Sequence, residues 1–380
     1  MIQNDVKLLV IHPGFRHNLK GLYEMILDNF NSNFVFIRKD SMSNFSKKHQ
    51  DKISFEGFDS IRASELTLRE MIRMLTILYK KIIDVDPDVI LTSTEHPIHS
   101  KIAYFLSRIM DKKLLIWTES WMHIEENFSM KIYHSVSRYI LKNADAVLVH
   151  GRAQKKYCVT MGIEENNIFL FPFAINDLQK TESDTSIQVP TNKKVILYVG
   201  RLNKQKGIEY LLKAFKKYEQ DYKDSYLLIV GTGEHEEYYR SLSDRLQIQN
   251  IIFYGQIPIA EIKSAYDDAN LFVLPSCRYR GKYEGWGLVL NEATSMALPV
   301  IATDAVGSAQ DLIQNGINGY IVKNKSVDEL FNAMKKIIEN DDLRERMGKE
   351  SRKIFERYND HDKSLKALND AVEHALRRKR

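Results

Sequence analysis

The sequence predicts an α/β protein made of two doubly wound domains in tandem. Short apolar runs rich in β-branched residues alternate with helical patterns, which is typical of parallel sheets covered by helices on both faces. The chain has 380 residues, more than one hydrophobic core usually supports. The alternation is interrupted at Asn176–Lys194, a segment rich in Ser, Thr, Asp and Asn. We interpret this segment as an interdomain linker.

Twelve runs have the length and composition of buried strands. In the first half they are Val6–Ile11, Phe34–Ile37, Val89–Thr92, Lys113–Thr118, Ala146–His150 and Ile168–Phe171. In the second half they are Val195–Val199, Tyr226–Val230, Ile251–Tyr254, Leu271–Leu274, Val300–Ala302 and Tyr320–Val322. The clearest helix, Leu66–Ile83, contains a Thr67-x-x-Glu70 capping-box pattern, and the chain is helical in pattern from Val327 onward. We therefore place the domains at residues 1–178 and 179–357, followed by a helical segment at 358–380.

The composition is that of an ordinary globular protein, with 44% hydrophobic and 28% charged residues, which excludes disordered, collagenous and disulfide-scaffold classes. Apolar runs such as Leu271–Leu274 are far shorter than a bilayer span. The first residues lack the pattern of a signal peptide. Cys158 and Cys277 are isolated, which suits a reducing compartment. We expect a cytoplasmic protein.

The net charge of +5 is mild for this length, but the chain ends in Arg377-Arg378-Lys379-Arg380. A short basic tail is either a solvated end or a contact with anionic lipid. The amphipathic Leu66–Ile83 pattern is compatible with the same peripheral contact at the inner face of a membrane. No nucleic-acid-binding motif accompanies the tail, and we expect no nucleic-acid partner.

The loop after the strand Val195–Val199 has the composition of an anion site. It runs from Gly200 to Gly207, carries Arg201, Lys204 and Lys206, and leads into a helix. Cations beside the unpaired N–H groups of a helix N-terminus favour a bound anion. The spacing is not that of a Walker loop. Taken alone, the loop is better explained as a surface turn with solvated cations.

Two glutamates follow the strand Leu271–Leu274. Glu284 precedes a glycine-rich turn and Glu292 lies eight residues later, on the helix that this turn opens. Eight residues of helix span about 12 Å, too far for the paired carboxylates of a glycosidase. The two carboxylates suit the two ends of one long polar ligand such as a sugar nucleotide. Trp286, between them, could stack on a sugar, but packing is the favoured interpretation.

Two further loops are less informative. Gly231-Thr232-Gly233-Glu234 is better explained as a tight strand-to-helix turn than as a nicotinamide site, because Glu236 occupies the third glycine position. The loop Thr303–Asp311 is equally compatible with a structural turn and with a functional role.

Four motifs in order resemble glycosyltransferase family 4, whose members are retaining, nucleotide-sugar-dependent enzymes with the GT-B fold. The motifs are Gly200-Arg201-Leu202 with Lys206-Gly207, Glu284-Gly285-Trp286-Gly287-Leu288 with Glu292-Ala293, Leu298–Thr303, and Asn315-Gly316 with Asn318-Gly319. The resemblance is strong over about Val195–Val322 and weaker but collinear before it. It implies two Rossmann-like domains facing a cleft, with the 358–380 segment crossing back to the first domain and linked to its closure.

The resemblance also implies roles at matching positions. Arg201 and Lys206 would hold the donor diphosphate and stabilise the leaving group, helped by backbone amides of Gly285, Trp286, Gly287 and Leu288. Glu284 would contact the transferred sugar and Glu292 the ribose. The family needs no metal for the diphosphate, and no Asp-x-Asp pair suggests one here. The implied requirement is a nucleotide sugar as substrate and no cofactor.

The first domain would supply the acceptor pocket. Its loop containing Gly14 matches a family loop near the phosphates but lacks the usual double glycine. A family histidine that faces the donor sugar corresponds to Glu119 here, so either Glu119 takes its place or His123 does. His96, after another strand, is a further candidate on the acceptor side.

The expected activity is transfer of a sugar, from a donor that most often carries UDP, to a saccharide or lipid-linked acceptor in cell-surface polysaccharide or glycoconjugate synthesis. Two alternatives stay open. One is a phosphorylase or sugar-phosphate synthase on the same fold. The other is a non-catalytic nucleotide-binding protein, against which the presence of Arg201, Lys206, Glu284 and Glu292 argues.

Overall fold

The computed structural model describes residues 5–38, 47–58, 66–93, 97–122, 128–181, 187, 193–258 and 261–378. The chain divides into two compact units, which we describe separately. The first comprises Met1–Asn176 together with Asn359–Arg380, and the second comprises Asp177–Tyr358. The predicted α/β class, with two parallel-sheet domains, is confirmed.

The first unit contains, in its described residues, a seven-stranded sheet in the order β3-β2-β1-β4-β5-β6-β7. Every neighbouring pair of strands is parallel. Its strands are β1 (Lys7–His12), β2 (Asn31–Arg38), β3 (Ile53–Phe58), β4 (Val89–Ser93), β5 (Lys113–Thr118), β6 (Ala146–Val149) and β7 (Ile168–Leu170). Its helices are α1 (Lys20–Asn29), α2 (Leu68–Val85), α3 (Ile98–Ile109), α4 (Phe128–Lys142), α5 (Arg152–Thr160) and, from the end of the chain, α13 (His361–Arg377).

The second unit contains, in the part of the chain described, a six-stranded parallel sheet in the order β10-β9-β8-β11-β12-β13. Its strands are β8 (Lys194–Val199), β9 (Ser225–Val230), β10 (Ile251–Gly255), β11 (Leu271–Leu274), β12 (Val300–Thr303) and β13 (Gly319–Val322). Its helices are α6 (Ile208–Asp221), α7 (Glu236–Arg245), α8 (Lys263–Asp267), α9 (Leu288–Ser295), α10 (Ala309–Leu312), α11 (Val327–Ile338) and α12 (Asp341–Tyr358).

The helix α2 begins where its capping box predicts. The Thr67 hydroxyl accepts from the Glu70 amide at 3.2 Å, and the Glu70 carboxylate accepts from the Thr67 amide at 2.7 Å. These reciprocal bonds satisfy two amides that the first turn leaves without helical partners. One face of the helix then packs into the core through Met74, Leu78 and Ile82, which are fully buried.

The strand β3 was not predicted. Its sequence, ISFEGF, buries only its first and last residues, so it shows no alternating or continuous apolar pattern. It forms at the sheet edge because it pairs in parallel with β2. The strand β2 begins three residues before the predicted Phe34, because polar residues do not show the apolar pattern of a buried strand. These residues, Asn31, Ser32 and Asn33, pair in register with the first residues of β1.

The boundaries between the units differ slightly from the predicted 178 and 357. Asp177 belongs to the second unit, where its carboxylate accepts two hydrogen bonds from the Arg352 guanidinium at 2.7 and 2.6 Å. Asn359 belongs to the first unit, where its side chain bonds both the amide and the carbonyl of Ile175. Side-chain pairs of this kind are not visible as a composition shift in the sequence.

The C-terminal helix α13 is an integral part of the first unit. It packs against β5, β6 and β7 and against α1. The Ser364 hydroxyl donates to the Pro172 carbonyl at 2.9 Å, and His374 Nε2 lies 2.7 Å from Asn167 Oδ1. Among the helices of the described ranges, none is both long and apolar enough to cross a membrane.

Candidate active site

The candidate site of the second unit lies where the strand order reverses. From β8 the chain proceeds to β9 and β10 on one side, and it then continues from β11 on the other side of β8. Loops that leave the carboxyl ends of two such strands diverge, and in open α/β sheets the crevice between them is the usual ligand site. Here these are the loops after β8 (Gly200–Gly207) and after β11 (Pro275–Gly287).

The two loops are bonded directly to each other. The amide of Cys277 donates to the carbonyl of Gln205 at 2.8 Å. Gly207 ends the first loop with a φ of +64° and then begins α6. A Cβ at this position would lie 2.1 Å from the carbonyl oxygen of Pro275. Only glycine therefore permits both the left-handed turn and the close approach of the second loop.

The two predicted charged residues of these loops form an ion pair. The Lys206 ammonium donates to Glu284 Oε2, and their side chains are only 15% and 14% exposed. The Ser276 hydroxyl donates to the same oxygen at 3.2 Å. The structure thus brings together residues that are 78 positions apart in the sequence.

The Glu284 carboxyl is held in its charged form. Burial would raise the pKa of Glu284, but the charge and hydrogen bond of Lys206 outweigh burial, and the pKa lies below its ordinary value. The hydroxyl of Ser276 and the charge of Arg201 lower it further. At neutral pH this carboxylate is therefore an acceptor and not a proton donor.

The second predicted cation, Arg201, has a fixed backbone and an exposed side chain. Its carbonyl accepts from the Tyr198 hydroxyl at 2.9 Å, and the next amide, of Leu202, donates to the carbonyl of Thr232 at 3.0 Å. The turn Gly231–Glu234 thus supports this loop, which agrees with its interpretation as a structural turn. Among the described residues, no ion pair engages the Arg201 guanidinium.

The segment that follows Glu284 is anchored by the loop after β12. The amide of Glu284 donates to Ala305 at 3.2 Å, and the Ser308 amide and hydroxyl both donate to the carbonyl of Trp286, at 3.1 and 2.6 Å. The Trp286 ring is buried, with Nε1 donating to Asn291 at 2.8 Å. A contribution of Trp286 to a bound ligand would come from its backbone, and the loop Thr303–Asp311 has a supporting role.

The predicted turn Gly285–Leu288 leads into α9. Gly287 is the N-cap residue, with a φ of +90°. Leu288 is half-buried at the first position of the helix. The first amides of this helix have no helical acceptors, and with the helix dipole they favour an anion at this end.

Glu292 lies one turn further along α9 and is largely buried. The Tyr266 hydroxyl donates to Glu292 Oε2 at 2.7 Å. Burial, and then the adjacent carboxylate of Glu292, raise the pKa of Tyr266 well above its usual range, so the phenol stays protonated and keeps donating. Tyr266 belongs to α8, and nothing in the sequence connects it with Glu292.

In the first unit, the loop after β1 holds Gly14. The imidazole of His12 lies inside this loop, with Nδ1 2.7 Å from the carbonyl oxygen of Gly14. Burial, followed by the charge of Arg16, lowers the pKa of His12 well below its ordinary value. The ring is therefore neutral at pH 7, and Nδ1 donates to Gly14.

Glu119, the second predicted residue of the first unit, lies just beyond β5. It forms an ion pair with Arg16 at 2.8 Å, and both side chains are about one-third exposed, 29% and 37%. The loops after β1 and β5 are thereby connected. The other two predicted residues, His96 and His123, lie outside the described residues.

Sequence reasoning missed three residues that position the predicted ones: Ser276, Tyr266 and Arg16. Ser276 and Arg16 each lie in a loop immediately after a strand, which is a usable signal. Within the described ranges, no group of three or more His, Cys, Asp or Glu side chains is arranged to hold a metal ion. Neither Cys158 nor Cys277 forms a disulfide, and both are buried.

Residues 179–354 match the family model described as glycosyl transferases group 1. That range covers nearly all of the second unit, including both loops of the candidate site. It agrees with the predicted resemblance to glycosyltransferases.

The chain is also similar to individual glycosyltransferases. It is 26% identical over 309 residues to a glycosyltransferase of Methanocaldococcus jannaschii, covering 77% of this chain and 76% of the relative. It is 26% identical over 308 residues to the capsular polysaccharide biosynthesis glycosyltransferase CapM of Staphylococcus aureus, covering 76% of each chain. Among solved structures it resembles Anabaena HepE in complex with UDP, with a TM-score of 0.75 and 16% identity over 97% of this chain and 99% of HepE. The predicted GT-B fold is confirmed.

Proposed function

We propose that this protein is a retaining glycosyltransferase that moves a sugar from a nucleoside diphosphate sugar to a hydroxyl acceptor. The observation that carries the proposal is the Lys206–Glu284 pair. It places a cation and an ionised acceptor at the carboxyl ends of β8 and β11, where Arg201 and the N-terminus of α9 also lie. Cations and helix amides bind a diphosphate, and a carboxylate accepts a hydrogen bond from a sugar hydroxyl.

The two cations would stabilise the leaving group. As the bond between the sugar and the diphosphate breaks, negative charge accumulates on the diphosphate oxygens. Lys206 is held in place by Glu284, and Arg201 extends from a fixed backbone. Cations that are already in position need little reorganisation during the reaction, which is the main source of this kind of stabilisation. We propose that they perform this task without a metal ion.

The two carboxylates would orient the donor. Glu284 is ionised and would accept a hydrogen bond from a hydroxyl of the transferred sugar. Glu292, fixed by Tyr266, would accept hydrogen bonds from the ribose hydroxyls. The amides of Gly285–Leu288 would add donors for the phosphate oxygens.

Retention would follow from attack on the face that the diphosphate leaves. The acceptor hydroxyl forms the new bond at the anomeric carbon while the diphosphate departs with the electron pair of the old bond. A diphosphate oxygen takes the hydroxyl proton, so no separate protein base is required. The Glu284 carboxylate cannot act as the acid, because its lowered pKa keeps it ionised.

For the substrates, we propose a UDP-sugar donor and a saccharide or lipid-linked acceptor in cell-surface polysaccharide synthesis. The similarity to CapM, named for capsular polysaccharide biosynthesis, supports the acceptor class. The presence of UDP in the HepE complex supports uridine.

Calorimetric titration with UDP, GDP, ADP, TDP and CMP, without added metal, tests the proposal. We expect micromolar binding of one diphosphate, lost or strongly weakened in Arg201→Ala. Transfer assays with the matching sugar nucleotides then follow. Absence of binding to every nucleotide would contradict the proposed donor class. Release of sugar phosphate that depends on inorganic phosphate would instead identify a phosphorylase.

A further inference from the structure

An exposed apolar surface extends over three neighbouring helices of the first unit, α2, α3 and α4. These helices share one buried core with α5 on the same side of the sheet. The surface, which we name the α2–α4 face, carries nine of the fifteen large apolar side chains that are exposed in the described residues. They are Leu68, Ile72, Leu75, Tyr79 and Ile83 on α2, Phe105 and Ile109 on α3, and Val136 and Tyr139 on α4, with exposed fractions between 38% and 70%.

The apolar stripe on α2 is additional to the one that packs into the core. Leu68, Ile72, Leu75 and Tyr79 follow the spacing of one helix face. The buried Met74 belongs to a second stripe beside it. An amphipathic helix of a globular domain needs only one such stripe, facing the core. The exposed stripe is therefore more apolar surface than the core of this unit requires.

The same three helices carry a strong positive charge. Their sequences contain nine Lys and Arg against two Asp and Glu, a net charge of +7, whereas the whole chain has +5. The rest of the protein is thus slightly negative. Arg69 and Lys80 are exposed along the edge of the apolar stripe on α2. Arg378 donates to the carbonyl of Ala144, just beyond the end of α4, and adds a further cation there.

We propose that the α2–α4 face docks onto the surface of an anionic lipid bilayer. Exposed apolar side chains bordered by cations are the two components of interfacial binding, since the first enter the acyl boundary and the second contact anionic headgroups. A second copy of this chain is a poorer occupant. A two-fold interface would place the same patch against itself and oppose two positive surfaces. The proposal is independent of the transferred sugar.

Flotation of the full chain with vesicles tests the proposal. We expect binding to mixed phosphatidylglycerol and phosphatidylcholine vesicles at low salt, and little binding to phosphatidylcholine alone. Replacing two apolar side chains, Ile72→Ser with Phe105→Ser, should lower the partition coefficient by about tenfold or more. Reversing two charges, Arg69→Glu with Lys80→Glu, should lower it by more than about 25-fold, since the loss of each cation costs about fivefold and the added carboxylates are repelled by the anionic surface. Only the charge effect should fade at high salt.

Matched variants in the second unit serve as controls. Ile317 and Tyr254 are similarly exposed apolar residues, 47% and 46%, and Arg346 is an exposed cation. Ile317→Ser, Tyr254→Ser and Arg346→Glu should leave vesicle binding unchanged, and circular dichroism with thermal unfolding should show that all variants are folded.

Three outcomes would overturn the proposal. The first is a wild-type protein that does not float with anionic vesicles at low salt. The second is equal binding by the apolar variant. The third is a dimer in solution that Ile72→Ser with Phe105→Ser dissociates. That result would identify a second copy of the chain as the occupant.

Discussion

Replacing Lys206 by methionine separates its two proposed tasks, pairing with Glu284 and stabilising the leaving diphosphate. Methionine keeps much of the length of the side chain and removes the charge. The two side chains are about 15% exposed, so the pair is intermediate between a surface and a buried ion pair. A surface ion pair stabilises a protein by up to about 1 kcal/mol. Loss of one partner of a buried pair costs about 3–5 kcal/mol. We therefore expect Lys206→Met to lower the free energy of unfolding by about 2 kcal/mol at pH 7.

The loss of turnover should be larger. Removal of one group that stabilises developing charge in the transition state lowers kcat by about 10²–10³. The assay is initial-rate sugar transfer at saturating donor, with unfolding by urea measured on the same preparations. Turnover of Lys206→Met within a few-fold of the wild type would refute the assignment of Lys206 to the leaving group.

The double variant Lys206→Met with Glu284→Gln provides the control. It removes both charges, so no unpaired carboxylate remains, and stability should recover most of what Lys206→Met loses. Turnover should stay low, because the cation is still missing. Joint recovery of stability and turnover would mean that Lys206 serves only to pair with Glu284.

Four further results are expected. Glu292→Ala should weaken nucleotide binding by about 10–100-fold in calorimetry, the scale of hydrogen bonds to a charged group; unchanged affinity would contradict the ribose contact. Transfer should persist in EDTA at a rate within about twofold of that without EDTA, since in our proposal Arg201 and Lys206 supply the positive charge; abolished activity that Mg²⁺ restores would oppose this. The lowered pKa of Glu284 contributes stability above its unfolded pKa of about 4.5, and this contribution is lost as the pH falls through the folded value. The free energy of unfolding should be measured for the wild type and Glu284→Gln between neutral and acidic pH. The difference between the two proteins should shrink as the pH falls. Gly207→Ala should destabilise the protein by more than about 1–2 kcal/mol, because the left-handed backbone cost adds to the clash with Pro275; wild-type stability would mean that the two loops can separate freely.

Much of the fold follows from local patterns in the sequence. The strands that are buried on both faces, such as β1 and β11, have continuous apolar runs. Such a run is stable only in a strand that other elements cover on both faces. The start of α2 follows from one capping box. The edge strand β3 was not predictable in this way, because its residues are half-exposed and its conformation depends on pairing with β2.

The candidate site was predictable in its charges but not in its contacts. Arg201 and Lys206 are visible because they lie in a glycine-bounded loop after a strand, and Glu284 and Glu292 because they lie on either side of a glycine-rich turn. Lys206 pairs with Glu284 because β8 and β11 are neighbours in the sheet. The order of elements along the chain does not determine which strands are neighbours. The same holds for Tyr266, whose hydroxyl bonds Glu292 although the two residues are 26 positions apart in the sequence.

A carboxylate beside cations that are proposed to bind a diphosphate has a cost, since it repels the ligand. Without a ligand, however, the partly buried Lys206 would be an uncompensated charge, and such charges are costly. Glu284 neutralises it and fixes its position. An ammonium has three donors, so Lys206 can bond a phosphate oxygen while it remains beside Glu284. In the proposed reaction the same carboxylate then has a second use, because a sugar hydroxyl can donate a hydrogen bond to a fixed, ionised acceptor. In this proposal Glu284 both pairs with Lys206 and orients the transferred sugar.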